Sequence, residues 1–317
     1  MLLPDEALGV RASRHWPAPG RMLDSPPMDR ADITRAVQRN GIARWIRHLL
    51  RGHQRIFLDY PVQPRQRYGH GQPAHPELLQ LLEQGRARYR DLLGRVAGLK
   101  DALARIPVRP EPGSMEPAWV NGFLPGLDSA ALYGVLALQP PGTYLEVGSG
   151  NSTRFARRAI RDQGLRTRIV SIDPHPRVEI DSISDQVIRA PLETVDLTPI
   201  LALEPGDILF LDGSHRVFMN SDVTVAFLEI LPRVARGVRV QIHDICLPYD
   251  YPPGWEEHYY SEQYVLAAFL LGGAKGATVT LPNAFVSGDP ELSRILDPLW
   301  DRLQGVERHG SSFWMEM

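Results

Sequence analysis

The sequence predicts an α/β fold, a doubly wound and mostly parallel sheet preceded by a helical extension. Three observations predict it. From about residue 118 onward, short apolar runs alternate with segments of helical periodicity, the signature of parallel βαβ units. Four of those runs end in Gly or Asp, residues suited to the turn at a strand's carboxyl end. A Pro-rich stretch, PVRPEPGSMEP at 107–117, separates this alternation from an upstream region of different texture.

The elements follow in chain order. Residues 1–75 carry twelve Arg against six Asp and Glu. Within them DITRAVQRNGIARWIRHLLRG (32–52) has its apolar residues on one helical face, with Asp32 placed to cap it. Residues 76–106 repeat Leu and Val at helical spacing after Pro76, a residue suited to a helix start. A packing helix, a lid and a dimer arm all fit that stretch, and any homo-oligomer is expected through these N-terminal helices. The division is therefore 1–112 for the extension and 113–317 for the sheet domain.

In the sheet domain, TYLEVG (143–148), RIVSID (168–173), DQVIRA (185–190), DILFLDG (207–213) and GVRVQIHD (237–244) read as five strands. ATVTLP (277–282) and AFVS (284–287) complete a set of seven. STRFARRAIRDQ, SDVTVAFLEILPRV and SEQYVLAAFLLGG read as intervening helices.

Composition limits the function. A net charge of −2 gives no general attraction to nucleic acid or an anionic membrane, and neither is expected as a partner. One cysteine, Cys246, excludes an internal disulfide and a zinc–thiolate cluster. No apolar run approaches the ~20 residues that span a bilayer, and the N-terminus lacks a secretory leader's pattern. A cytoplasmic location is expected.

Open parallel sheets bind ligands beyond the carboxyl ends of their strands. After the first run the chain reads Glu146-Val147-Gly148-Ser149-Gly150-Asn151-Ser152-Thr153. Gly148 and Gly150 allow a tight turn and close backbone approach. Thr153 stands where a dinucleotide fingerprint has its third glycine, and no Lys-Ser/Thr pair makes a P-loop. Glu146 suits an ammonium group better than a pyrophosphate. Asp173, ending the second run, lies where an acid takes the hydroxyls of a ribose.

YLEVGSGNSTRFA with VSIDPHPR resembles the class I S-adenosylmethionine-dependent methyltransferases. GDILFLDGSH, LPRVARGV and HDICLPYDYP extend the resemblance to their small-molecule branch, over roughly residues 113–290. It implies a Rossmann-like sheet of seven strands. It also implies S-adenosylmethionine as cofactor, with Glu146, Gly148, Gly150 and Ser152 at its methionine end and Asp173 on its ribose. Ala190, Pro191 and Leu192 would pack the adenine, and Asp212 would face the reacting methyl.

Asp212 ends the fourth run, and His243 and Asp244 end the fifth, with His215 three residues after Asp212. Two roles fit. Asp212, His243 and Asp244 could hold a divalent metal such as magnesium or manganese, because catechol-type relatives carry Asp and an Asp-Asn pair at these places. Otherwise His243, Asp244 and His215 are the catalytic group, with a histidine as general base. The loop LPYDYPPGWEEHYYSEQY (247–264) supplies Tyr249, Tyr251, Trp255 and Tyr260 as a substrate wall, stiffened by prolines.

The expected function is O-methylation of a small-molecule hydroxyl on a sugar, polyketide, phenol or modified peptide. Two alternatives stand beside it: a hydroxylase-type enzyme on the same fold, and a non-catalytic partner protein that binds the cofactor.

Overall fold

The computed structural model describes Tyr60 and residues 62–317. The helix expected over 32–52 lies outside the described residues. Pro64–Met317 form one compact unit. The boundary expected at 107–117 is therefore corrected: the helices before it share the core of the sheet. Leu82, Tyr89, Val96 and Leu103 belong to the same buried cluster as Tyr133, Phe155 and Phe210.

The expected helical stretch 76–106 is three helices. α1 (Pro76–Glu83) is capped by His75, whose Nδ1 accepts from Leu78 N–H, and α2 (Arg86–Ala97) and α3 (Lys100–Leu103) follow. The first break is at Gly85, where a Cβ would come within 2.2 Å of the Tyr89 hydroxyl. α4 (Gly126–Leu138) is buried on nearly every side. α5 (Asn151–Gln163) buries Phe155, Ala156, Ala159 and Ile160 along one face and stops at Gly164, which holds φ at 60°. α6 (Thr198–Leu201), α7 (Asp222–Val225, running into a π-helical turn over Ala226–Ile230), α8 (Glu262–Leu271), α9 (Asn283–Gly288) and α10 (Asp297–Trp300) complete the helices.

The sheet has seven strands in the order β3-β2-β1-β4-β5-β7-β6. They are β1 (Thr143–Val147), β2 (Arg168–Ile172), β3 (Gln186–Ile188), β4 (Ile208–Leu211), β5 (Arg239–Ile242), β6 (Thr278–Pro282) and β7 (Phe313–Glu316). β7 runs antiparallel between β5 and β6, and the pairs among β1 to β5 are parallel. β4 and β5 are buried throughout, as strands covered on both faces must be. Each large apolar side chain so buried contributes roughly 1.5–3 kcal/mol.

AFVS is not a strand. It lies in α9, where Ser287 Oγ donates to the Asn283 carbonyl, and the seventh strand is the C-terminal FWME. A four-residue apolar run has no periodicity that separates the two states.

Register positions the site. Val147 pairs with Ile172 and with Leu211, and Leu211 pairs with Ile242. Asp173, Gly148, Asp212 and His243 therefore leave the sheet side by side. The bonds Gly148 N–H to Ile172 O (2.9 Å), Asp212 N–H to Val147 O (2.8 Å) and His243 N–H to Leu211 O (2.9 Å) carry the ladder to that edge.

Candidate active site

The glycine turn is built around close approach. Gly148 holds φ at 82°, and a Cβ there would lie 1.9 Å from the Asp212 carbonyl oxygen. Only glycine fits. Asp173 accepts from Ser149 N–H (2.8 Å) and Ser149 Oγ (3.1 Å), and from His175 N–H (2.8 Å). It braces the turn while its carboxylate stays at the strand edge.

Glu146 does not reach a ligand position. It is fully enclosed and accepts bonds from Tyr144, Ser152, Thr153 and Ser171 hydroxyls. Four donors fill the lone pairs of a carboxylate. Burial pushes its carboxyl up to about 7 against those bonds. The expected contact with a cofactor ammonium is corrected to a structural one: Glu146 ties β1 and β2 to the start of α5. Ser152 is spent on the same knot. Ala190 and Pro191 are half-buried and Leu192 buried just after β3, and none of the three borders the cavities at the strand edge.

A cavity of about 640 Å³ opens at the ends of β4 and β5. Asp212, His215, His243 and Asp244 line one side. Tyr249, Trp255 and Tyr260 line another, with Trp119 and Phe123 from the segment before α4. Tyr251 is corrected to a supporting role: it is buried behind Trp255, stacked on it with ring centroids 5.9 Å apart, and its hydroxyl accepts from Gln263 N–H. The loop is pinned by Asp250, which accepts from Arg67 N–H (2.6 Å), Tyr68 N–H (2.9 Å) and Tyr264 Oη (3.0 Å).

The two histidines form a connected charge cluster. His215 Nε2 lies 3.2 Å from Asp212 Oδ1 and 3.5 Å from Asp244 Oδ2, and its Nδ1 lies 2.9 Å from Glu262 Oε2. His243 Nδ1 lies 3.4 Å from both Asp212 and Asp244, and its Nε2 lies 3.3 Å from Asp128 Oδ2. Neither His243 nitrogen makes an aligned hydrogen bond, so charge rather than hydrogen-bond geometry holds this ring. His215 and Asp244 sit at φ 58° and 54°. The left-handed region costs a side chain about 1–2 kcal/mol, and for His215 the Ser261 and Glu262 amides, which bond its carbonyl, hold it there.

Burial alone would strip the proton from each imidazole. At His215 the bonds to Asp212 and Glu262 win and raise it to about 10. At His243 the charges of Asp212 and Asp244 win, followed by Asp128, and hold it well above the usual histidine range. The same pairs hold Asp212 and Asp128 below the usual carboxylate range despite their burial. Two imidazoliums thus stand among four acids.

Asp128 and Glu262 were not among the residues singled out in the sequence. Asp128 is enclosed in α4 and also accepts from Asn283 Nδ2 (2.7 Å), Ser311 N–H (2.9 Å) and Ser312 N–H (2.8 Å). An acid inside the apolar run GLDSAALYGVLAL was the available signal. Glu262 reads as an ordinary first-turn acid and gave none.

Asp212, His243 and Asp244 converge at the ends of β4 and β5. Among the described residues no group of three or more His, Cys, Asp or Glu is arranged to hold a metal ion. The metal expectation therefore finds no support in this arrangement.

A second, narrow cleft of about 30 Å³ borders Ser149, Gly150, Asn151 and Ser152, with Asp212 at its inner end. Phe123 and Arg177 border both spaces, and the Arg177 guanidinium lies 4.7 Å over the Phe123 ring. Among the described residues no helix is long and apolar enough to cross a membrane.

The chain has no match among curated proteins. Among solved structures it is similar to a Podospora anserina methyltransferase bound to S-adenosylhomocysteine (17% identity, 48% of this chain and 71% of that one, TM-score 0.33). It is also similar to the branched-chain polyamine synthase of Thermus thermophilus (15%, 71% and 64%, 0.38) and to coclaurine N-methyltransferase (14%, 90% and 97%, 0.35). Residues 145–245, from β1 to just past β5, match the family described as a methyltransferase domain. The glycine turn and the central strands β1, β2, β4 and β5 of the seven-stranded sheet lie within or at the edges of that match, so this part of the chain is similar to a methyltransferase domain.

Proposed function

We propose that the chain methylates a hydroxyl oxygen of a small molecule held in the aromatic cavity. One observation carries the reading: Asp212 borders both the cleft at the glycine turn and the cavity walled by Tyr249, Trp255 and Tyr260. A donor lying along the turn and an acceptor lying against those rings would meet at its carboxylate. The turn fits such a cofactor in its two glycines and in Asp173 at the ribose position.

When bound, S-adenosylmethionine supplies an electrophilic methyl on a positively charged sulfur. Asp212 would face that charge. Positive charge beside Asp212 weakens the hold of the carboxylates on the imidazole protons, so His243 gives up its proton to solvent as the site fills. Its Nδ1, beside the cavity, would then take the proton of the acceptor hydroxyl as that oxygen receives the methyl group. Asp244, 3.4 Å from that nitrogen, would hold the ring toward the hydroxyl and stabilise the imidazolium that forms. His215, fixed by Glu262, keeps Asp212 and Asp244 in place. No divalent metal takes part in this reading.

The experiment is methyl transfer from labelled S-adenosylmethionine to a panel of phenolic, sugar and amine acceptors, with and without a chelator. Labelled methyl ethers, unaffected by the chelator and lost in Asp244→Ala, are expected. Cofactor binding with no transfer to any acceptor would support the partner-protein alternative instead. Activity that vanishes with the chelator and returns with manganese would restore the metal reading.

A further inference from the structure

At the opposite end of the sheet from the charge cluster, a cavity of about 240 Å³ lies over the starts of β5 and β6. Arg239 forms part of its floor, at the first position of β5, four residues before His243. It is 6% exposed. Buried guanidinium groups are ordinarily paired with a carboxylate, because the charge is costly to bury alone. Among the described residues Arg239 has no such pair. Its guanidinium donates only to the Gln139 side chain (3.2 Å) and the Gly206 carbonyl. Desolvation accordingly holds its pKa below the usual arginine range.

Two further guanidiniums stand at the rim of the same cavity, Arg88 and Arg95, both on α2. Their hydrogen bonds go to the backbone carbonyls of Val279 (2.6 Å) and Leu138 (3.5 Å), which leaves most of their donors unused. Thr278 and Thr280 line the side formed by β6. Against three cations the lining holds two acids, Asp91 and Glu316, both exposed. The lining is thus rich in fixed donors and carries a net positive charge.

The geometry points to an anion site at this end of the sheet, one that binds a phosphate group through Arg239, Arg88 and Arg95. The planar forks of arginine match tetrahedral oxyanions with paired bonds, and the threonine hydroxyls face a species that offers several acceptor oxygens. The cavity holds more than a free phosphate ion, so the phosphate of a small ester fits the same donors. The site shares no residue with the cavity at the strand ends, and it does not rest on the methyl-transfer reading.

Calorimetry on the full chain at constant ionic strength tests it, with inorganic phosphate in one arm and glycerol phosphate in the other. Saturable binding with a Kd at or below about 1 mM is expected in at least one arm, and the arm that binds tighter identifies a free or an esterified phosphate. Arg88→Ala/Arg95→Ala, two exposed positions, should weaken it at least tenfold while leaving S-adenosylmethionine binding, measured on the same samples, unchanged. Arg239→Gln should abolish it; if that variant does not fold, the rim pair still decides. Absence of saturable heat in both arms, equal heat from chloride, or unchanged affinity in the rim variant would overturn the site.

Discussion

Asp212 Oδ1 lies 3.2 Å from Nε2 of His215, at the point where β4 leaves the sheet. The same oxygen is 3.4 Å from Nδ1 of His243, so one carboxylate sets the charge of both rings. Asp212→Asn removes that charge with little change of shape. Titration calorimetry in buffers of different ionisation enthalpy should detect proton release on S-adenosylmethionine binding in the wild type and less of it in the variant. The turnover rate should fall by about 10²-fold or more.

Asp128→Asn breaks the buried pair with His243 and leaves an imidazolium facing a neutral amide. Removing one partner of such a pair costs about 3–5 kcal/mol. A lowered urea midpoint is expected, together with a reduced kcat at little-changed KM. The basic limb of the pH–rate profile should move, a signature that loss of packing alone would not produce.

Glu146→Gln separates a structural from a ligand role. The carboxyl of Glu146 is raised by burial to about 7, so the folded protein binds that proton more tightly than the unfolded chain does. Stability from this group is full below its unfolded value and falls as pH rises toward 7. The amide variant escapes that loss. Its Tm should exceed the wild type's at pH 8 and not at pH 4.5, with S-adenosylmethionine affinity changed by less than about threefold. A large loss of affinity at unchanged stability would return Glu146 to the cofactor.

His215 carries a test of the same sign at higher pH. Its raised pKa, about 10, contributes stability that is present below pH 6.5 and lost as pH climbs through 10. Thermal denaturation between pH 6 and 10 should show a steeper decline for the wild type than for His215→Gln.

Trp255→Ala opens the aromatic wall of the cavity, whereas Tyr251→Phe removes only a hydroxyl that accepts from the Gln263 amide. The first should raise KM for the acceptor about tenfold or more, in line with the loss of an aromatic face. The second should change KM little. Steady-state kinetics with any accepted substrate separates them.

Much of the sheet was legible because β1, β2, β4 and β5 are almost wholly buried and so read as short, largely apolar runs. Asp173, Asp212 and His243 were legible because strand ends have a fixed place in such a fold. What could not be read was partnership through space. Asp128 meets His243 across 115 positions of sequence, and the apolar run around Asp128 marks it as buried without naming its partner. The role of Glu146 was misread for the same reason, since one of its four hydroxyl partners, Ser171, comes from a neighbouring strand. The last strand went unseen because FWME carries only four residues, and AFVS, equally short and apolar, took its place.

The Arg177–Phe123 contact has a kinetic consequence. The pair borders both the glycine-turn cleft and the aromatic cavity, so a molecule reaching from one to the other passes beside it. A cation–π contact at an exposed position contributes about 0.5–1 kcal/mol. That amounts to a two- to fivefold effect, too little to keep a ligand out and enough to slow its arrival. Phe123→Ala should therefore speed association measured by stopped flow more than it changes equilibrium affinity, and the ligand should also leave sooner.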